Sequence, residues 1–166
     1  MKLIFKSTKS LIVIAIFFAS CKAQLAPHYD KAVAQGVRDI STLTLEFFSS
    51  SDGGLLYENI ETSNKSYSRI IGLTESVIVQ SNTRPIPDNK AIKKINQQLA
   101  KKGLNLLDVS KELPSTEALR NVLKQINKLK ETQGIRDVSA LEIRTFKGNI
   151  LISLDQALTY ENYLKR

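Results

Sequence analysis

The chain has few of the residues that build metal, disulfide and nucleotide sites. Its 166 residues include one cysteine, one histidine, no tryptophan, seven glycines and four prolines. Cys21 alone cannot form an internal disulfide, and Cys21 with His28 cannot supply the usual zinc ligand sets. No Walker loop or Rossmann glycine fingerprint is present. We therefore predict no metal site and no cofactor, and the scarcity of glycine and proline favours long helices over many short strands.

The charge balance favours anionic surroundings. Lysine and arginine number 24 against 16 acidic residues, which gives a formal net charge of +8. A positive balance of this kind favours contact with anionic lipid or anionic polymer. A mixed, soluble surface on a basic protein is the simpler interpretation of this balance. We predict no nucleic-acid partner.

The N-terminal segment is typical of a secretory signal. Lys2, Lys6 and Lys9 make its start basic, and the stretch 11–18 (LIVIAIFF) is continuously apolar. A basic start followed by a short apolar run and small residues is the pattern of a cleaved leader. The run is shorter than the roughly 18 to 20 residues needed to span a bilayer. We therefore predict a signal peptide over 1–20.

The residues Phe18-Ala19-Ser20-Cys21 resemble the lipobox of bacterial lipoproteins. This resemblance implies cleavage between Ser20 and Cys21, diacylglycerol on the Cys21 sulfur, and a further acyl chain such as palmitate on the new amine. Two or more acyl chains give stable anchoring. Lys22, where an inner-membrane lipoprotein would carry Asp, implies the outer membrane with the protein facing the periplasm. We assign 21–29 as the lipidated tether and 30–166 as the folded domain.

The apolar spacing of the domain predicts an all-α fold, an antiparallel bundle of four to five helices. Asp30 is placed to cap the first helix, and the Gly53-Gly54 pair separates it from the second. A packed connector is expected over 104–113. Apolar residues recur at three- and four-residue steps, predicting helices over 30–49, 55–82, 89–102 and 116–133.

The last segment, 137–166, permits two interpretations. Leu141, Ile150 and Leu154 fit a long helix that contains Gly148. The alternative is a β-hairpin over 141–152 that turns at Gly148-Asn149. We favour the helix because two strands alone would be marginally stable and the sequence after Ser153 is typical of a helix.

Candidate catalytic residues are few. His28 lies in the tether, where nothing would hold it for catalysis, and Ser110-Lys111 is assigned no role. Asp155 and Glu161 could act as paired acids if they faced each other across a cleft, but the interpretation that we favour is a solvated face with charge pairs. Four tyrosines could line a groove, or lie at the edge of the core with their hydroxyls in water: Tyr57, Tyr67, Tyr160 and Tyr163.

We therefore predict a membrane-anchored, non-enzymatic envelope lipoprotein that acts as a binding or adaptor module. Its expected partners are membrane lipid, bound through acylated Cys21, and an envelope protein. One alternative is a cell-wall or glycan-acting enzyme that uses carboxylates. The other is a carrier of a small ligand or lipid, which requires an apolar cavity of about 300 Å³ or more between helices.

Overall fold

A computed structural model describes residues 26–86 and 112–165, together with the isolated positions 97, 100 and 101. These residues form four long helices, α1 (Lys31–Ser50), α2 (Ile60–Asn82), α3 (Pro114–Gln133) and α4 (Ala140–Leu164). Two short strands, β1 (Gly54–Leu55) and β2 (Val138–Ser139), complete the fold. The all-α prediction is confirmed. The signal peptide, Cys21 and nearly all of the connector lie outside the described residues, as does the helix predicted over 89–102 except for positions 97, 100 and 101, which are helical.

The helices form a closed antiparallel ring. Each helix packs against the next along the chain, and α1 also packs against α4. Asp30, which caps α1, accepts hydrogen bonds from the amides of Ala32 and Val33 as predicted. At the same end, the Gln80 amide donates to Asp30 at 3.3 Å. We call this the near end, because the chain enters the bundle there, and the opposite end the far end.

The core is a stripe of apolar side chains from every helix. Fully buried members include Ile40, Ile70, Leu119 and Ile150, which lie at the helical spacing that the sequence shows. The helices α1 and α2 approach closely at Gly36, where an added Cβ would lie 2.4 Å from Val77 Cγ2. No helix among the described residues combines the length and apolar character needed to cross a bilayer.

The hairpin alternative over 141–152 is wrong, because that stretch is the first half of α4. The helix begins with a capping box, in which the Ser139 side chain accepts from the amide of Glu142 and the Glu142 carboxylate accepts from the amide of Ser139. Ile143, Ile150 and Leu154 are buried on one face, which a helix allows.

Strand β1 and a 3₁₀ turn occupy the residues that we predicted as the start of the second helix. We expected a helix from residue 55, but α2 begins at Ile60 and follows a 3₁₀ turn over Tyr57–Asn59. The strand β1 pairs antiparallel with β2, with Gly54 opposite Ser139 and Leu55 opposite Val138. Gly54 has a φ of 112°, and a Cβ there would lie 2.8 Å from the Val138 carbonyl oxygen. Only glycine fits this position without strain.

Candidate functional site

A buried ion pair holds the near end together. Arg84 Nη1 donates to Glu161 Oε2 at 2.9 Å, and Nη2 donates to Glu161 Oε1 at 2.8 Å. Arg84 Nη2 also donates to the hydroxyl oxygens of Ser81 and Ser115. The Glu161 side chain has no exposed surface. This cluster therefore connects the end of α2 with the start of α3 and the last turns of α4.

The two acids proposed for catalysis are not brought together. Both oxygens of Glu161 are bound by Arg84 inside the protein, whereas Asp155 is exposed to solvent. An enclosed carboxylate and an exposed one do not face each other across an open cleft, as two carboxylates in glycoside hydrolysis must. His28 is exposed in the segment before α1. Ser110, Lys111 and Cys21 lie outside the described residues.

The four candidate tyrosines do not line a common groove. Tyr57 and Tyr163 are exposed at opposite ends of the bundle, and Tyr67 is fully buried. The Tyr67 hydroxyl donates to Gln133 Oε1 at 2.8 Å, and burial raises the pKa of Tyr67. Burial also raises the pKa of Tyr160, which is half-buried beside Arg84 and Glu161.

A cleft of about 780 Å³ opens at the far end, between α1 and α2 and beside the β1–β2 pair. Its volume lies within the range of small-ligand sites, roughly 300–1,000 Å³. Small polar residues make up much of the lining, in contrast to the apolar interior that a lipid carrier needs. The side chains of Asn59, Thr62 and Ser66 have no hydrogen-bond partner among the described residues.

Asp137 is the charged residue that lines this cleft. Its Oδ1 accepts a hydrogen bond from the amide of Tyr57 at 2.7 Å. Its second oxygen has no partner among the described residues. The adjacent cation, Arg136, is bound by both oxygens of Glu142. The carboxylate of Asp137 is therefore free to receive a donor from a ligand.

A buried hydrogen-bond network without formal charges supports the cleft. Gln133 Nε2 donates to the Leu56 carbonyl oxygen at 2.9 Å and to Ser63 Oγ at 3.1 Å, while its Oε1 accepts from Tyr67. The Gln133 side chain thus uses its oxygen and its nitrogen, and it has no exposed surface. The network fixes β1 and the start of α2 to the end of α3. The cleft walls are held in place before any ligand arrives.

The chain segment that forms most of the cleft is acidic. Between Arg38 and Lys65 the sequence has no lysine or arginine. It carries five acids there, namely Asp39, Glu46, Asp52, Glu58 and Glu61. Asp52, Glu58 and Glu61 are next in sequence to residues that line the cleft, whereas Asp39 and Glu46 lie beside Arg69 in a separate surface pocket. Sequence reasoning missed the cleft, although this charge segregation was visible.

Four exposed apolar side chains surround the far end. Leu56 is 48% exposed, Tyr57 52%, Ile135 81% and Leu141 67%. All four lie within three residues of β1 or β2 in sequence, and we call them the distal rim. Leu56 also lines the cleft. Single exposed apolar residues are ordinary, whereas contiguous exposed apolar patches are a feature of interaction sites.

Comparisons with protein-family models, with characterised protein sequences and with solved structures found no match to this chain. Among the described residues, no three histidine, cysteine or acidic side chains are grouped so that they could hold a metal ion.

Proposed function

We propose that the protein is a lipid-anchored, non-enzymatic binding or adaptor module of the cell envelope. Acylated Cys21 fixes it to the membrane, in the outer membrane facing the periplasm, and a partner protein binds at the far end of the bundle. The observation that carries the proposal is the position of the cleft, which opens at the end of the helices opposite to the end where the chain enters.

The geometry suits presentation of a site away from a membrane. Asp30 lies at the near end, nine positions after the proposed lipid attachment at Cys21. An extended chain of that length reaches at most about 30 Å, so an anchored bundle has its near end close to the headgroups. The helix α1 has 20 residues, which corresponds to about 30 Å along its axis. With the bundle axis perpendicular to the membrane, the cleft would lie about 30 Å farther from the headgroups than the near end does.

The anchor is tested by mass spectrometry of the native protein. We expect a chain that begins at Cys21 and carries acyl chains, and we expect Cys21→Ser to move the protein from the membrane fraction to the soluble fraction of the envelope. An intact leader, or an unmodified thiol at Cys21, would refute the anchor.

The binding role is tested by placing a photo-crosslinking amino acid at Thr62, inside the cleft, or at Asp155, on an exposed part of α4. Both variants are expressed in cells. We expect a discrete protein adduct with the probe at position 62 and none of the same mass with the probe at position 155. Equal labelling at both positions would indicate non-specific contact and would count against the proposed site.

A further inference from the structure

We infer that the far-end cleft binds an extended, basic segment of a polypeptide. This inference rests on the proposed function, since it names the chemistry of the partner that the cleft receives. The cleft itself carries the inference: its volume is about 780 Å³, and its lining includes the Asp137 carboxylate and three polar side chains without a partner among the described residues, Asn59, Thr62 and Ser66.

The charge of the cleft selects against anions. Among the described residues, no lysine or arginine lines it, and one Asp137 carboxylate oxygen has no partner. Three further acids, Asp52, Glu58 and Glu61, are next in sequence to residues of the lining. Phosphates, nucleic acids and anionic headgroups would meet like charge here, whereas a lysine or arginine side chain would be attracted and oriented.

The uncharged groups of the cleft match a peptide main chain. The Asn59 amide and the hydroxyls of Thr62 and Ser66 offer both donors and acceptors. An extended peptide presents alternating N–H and C=O groups, which such side chains can pair with, as sheet edges do in other peptide-binding proteins. The three side chains lie along the 3₁₀ turn and the first turns of α2, so one strand could follow them.

The apolar groups favour a peptide over a sugar. Aliphatic side chains of a peptide would contact Leu56, which lines the cleft and is about half exposed. A sugar would need an exposed aromatic face inside the cleft to stack on. Among the described residues, Phe47 is the aromatic residue of the lining and is only 6% exposed, while Tyr57 on the distal rim does not line the cleft.

The test uses the full chain, purified from membranes in detergent. Binding of dye-labelled probes is measured by fluorescence anisotropy. The probes are a capped hexapeptide of alternating lysine and valine, its glutamate–valine counterpart, spermine, and a trisaccharide of N-acetylglucosamine. The variants are Asp137→Asn and Asp155→Asn. Asparagine at 137 keeps the Oδ1 acceptor for the Tyr57 amide and removes only the charge, and Asp155→Asn makes the same change on the exposed surface outside the cleft.

We expect the lysine–valine peptide to bind more tightly than the other probes and to weaken as salt increases. Asp137→Asn should weaken it about two- to five-fold, the range for one exposed charge pair, and Asp155→Asn should not. Tighter binding of spermine, of the trisaccharide or of the acidic peptide would overturn the inference, as would no measurable binding or equal effects of the two variants. Because this test uses purified protein, it is independent of the test of the anchor. Absence of peptide binding would not contradict acylation of Cys21, and an unmodified Cys21 would not contradict peptide binding.

Discussion

Glu161→Gln is expected to destabilise the bundle more than its exposed counterpart. The substitution leaves Arg84, itself only 7% exposed, with an uncompensated charge inside the protein. Removing one partner of a buried ion pair costs about 3–5 kcal/mol. The whole free energy of unfolding of a domain is only about 5–15 kcal/mol. At about 2–4 °C per kcal/mol, the expected fall in Tm is about 6–20 °C.

Glu142→Gln is the matched control. Arg136 binds both oxygens of Glu142, at 2.6 and 3.1 Å, as Arg84 binds both oxygens of Glu161. This second pair is exposed to solvent, where water replaces the lost interaction. Glutamine can also keep the reciprocal bond of the capping box. We therefore expect Glu142→Gln to change the free energy of unfolding little. Both variants are compared with the unsubstituted protein by urea titration, followed through the circular dichroism of the helices.

The double variant Arg84→Gln/Glu161→Gln separates the loss of a contact from the burial of a lone charge. It removes both charges and leaves neutral groups that can still hydrogen-bond with Ser81 and Ser115. If the lone charge causes the loss, the double variant will be more stable than Glu161→Gln alone. An equal or greater loss in the double variant, or equal effects of Glu161→Gln and Glu142→Gln, would refute the reasoning.

Three further measurements test other parts of the fold. Gly36→Ala places a Cβ in a tight helix contact and should cost about 1–3 kcal/mol in urea unfolding, whereas Gly72→Ala meets nothing within 4 Å and should stabilise α2 by about 0.5–1 kcal/mol. Thr44→Val removes a buried hydroxyl that has no partner among the described residues, so it should raise the free energy of unfolding by about 1 kcal/mol. The Arg136 guanidinium, together with the amide and the hydroxyl of Ser139, lowers the pKa of Glu142 from 4.5 to about 2. The stability that this carboxylate contributes is therefore present at neutral pH and lost as pH falls from about 4.5 through 2. Arg136→Gln should raise the pKa of Glu142 in an NMR titration of its carboxyl carbon, and no change would contradict the assignment.

The helices could be predicted from the sequence because their cause is local and periodic. Val33, Val37 and Ile40 recur at helical steps, and all three are fully buried. The same logic decides the last segment. Leu141 and Ile152 would lie in the two strands of a hairpin, but both are more than 60% exposed, while Ile150 is fully buried within α4.

The far end could not be predicted in the same way, because its causes are distant in sequence. The start of α2 is delayed by the pairing of Gly54 with Ser139, which lies far along the chain. Leu56 fits the apolar stripe of α2, yet its carbonyl oxygen accepts a bond from Gln133 and its side chain is half exposed. The apolar pattern of one segment cannot show that residues far along the chain will hydrogen-bond with its backbone and prevent a helix there.

The two polar networks of the bundle differ in a way that bears on function. At the near end a charged pair, Arg84 and Glu161, is enclosed and neutralises itself. At the far end the buried groups, Tyr67 and Gln133, carry no formal charge. A neutral network connects these elements without adding a formal charge, so Asp137 is the charged residue among the described residues that line the cleft. Because these walls are fixed before binding, little of the binding free energy is lost in ordering the site. A ligand is then selected by its charge and its main-chain hydrogen bonds, which is why the peptide probes of opposite charge are the decisive comparison.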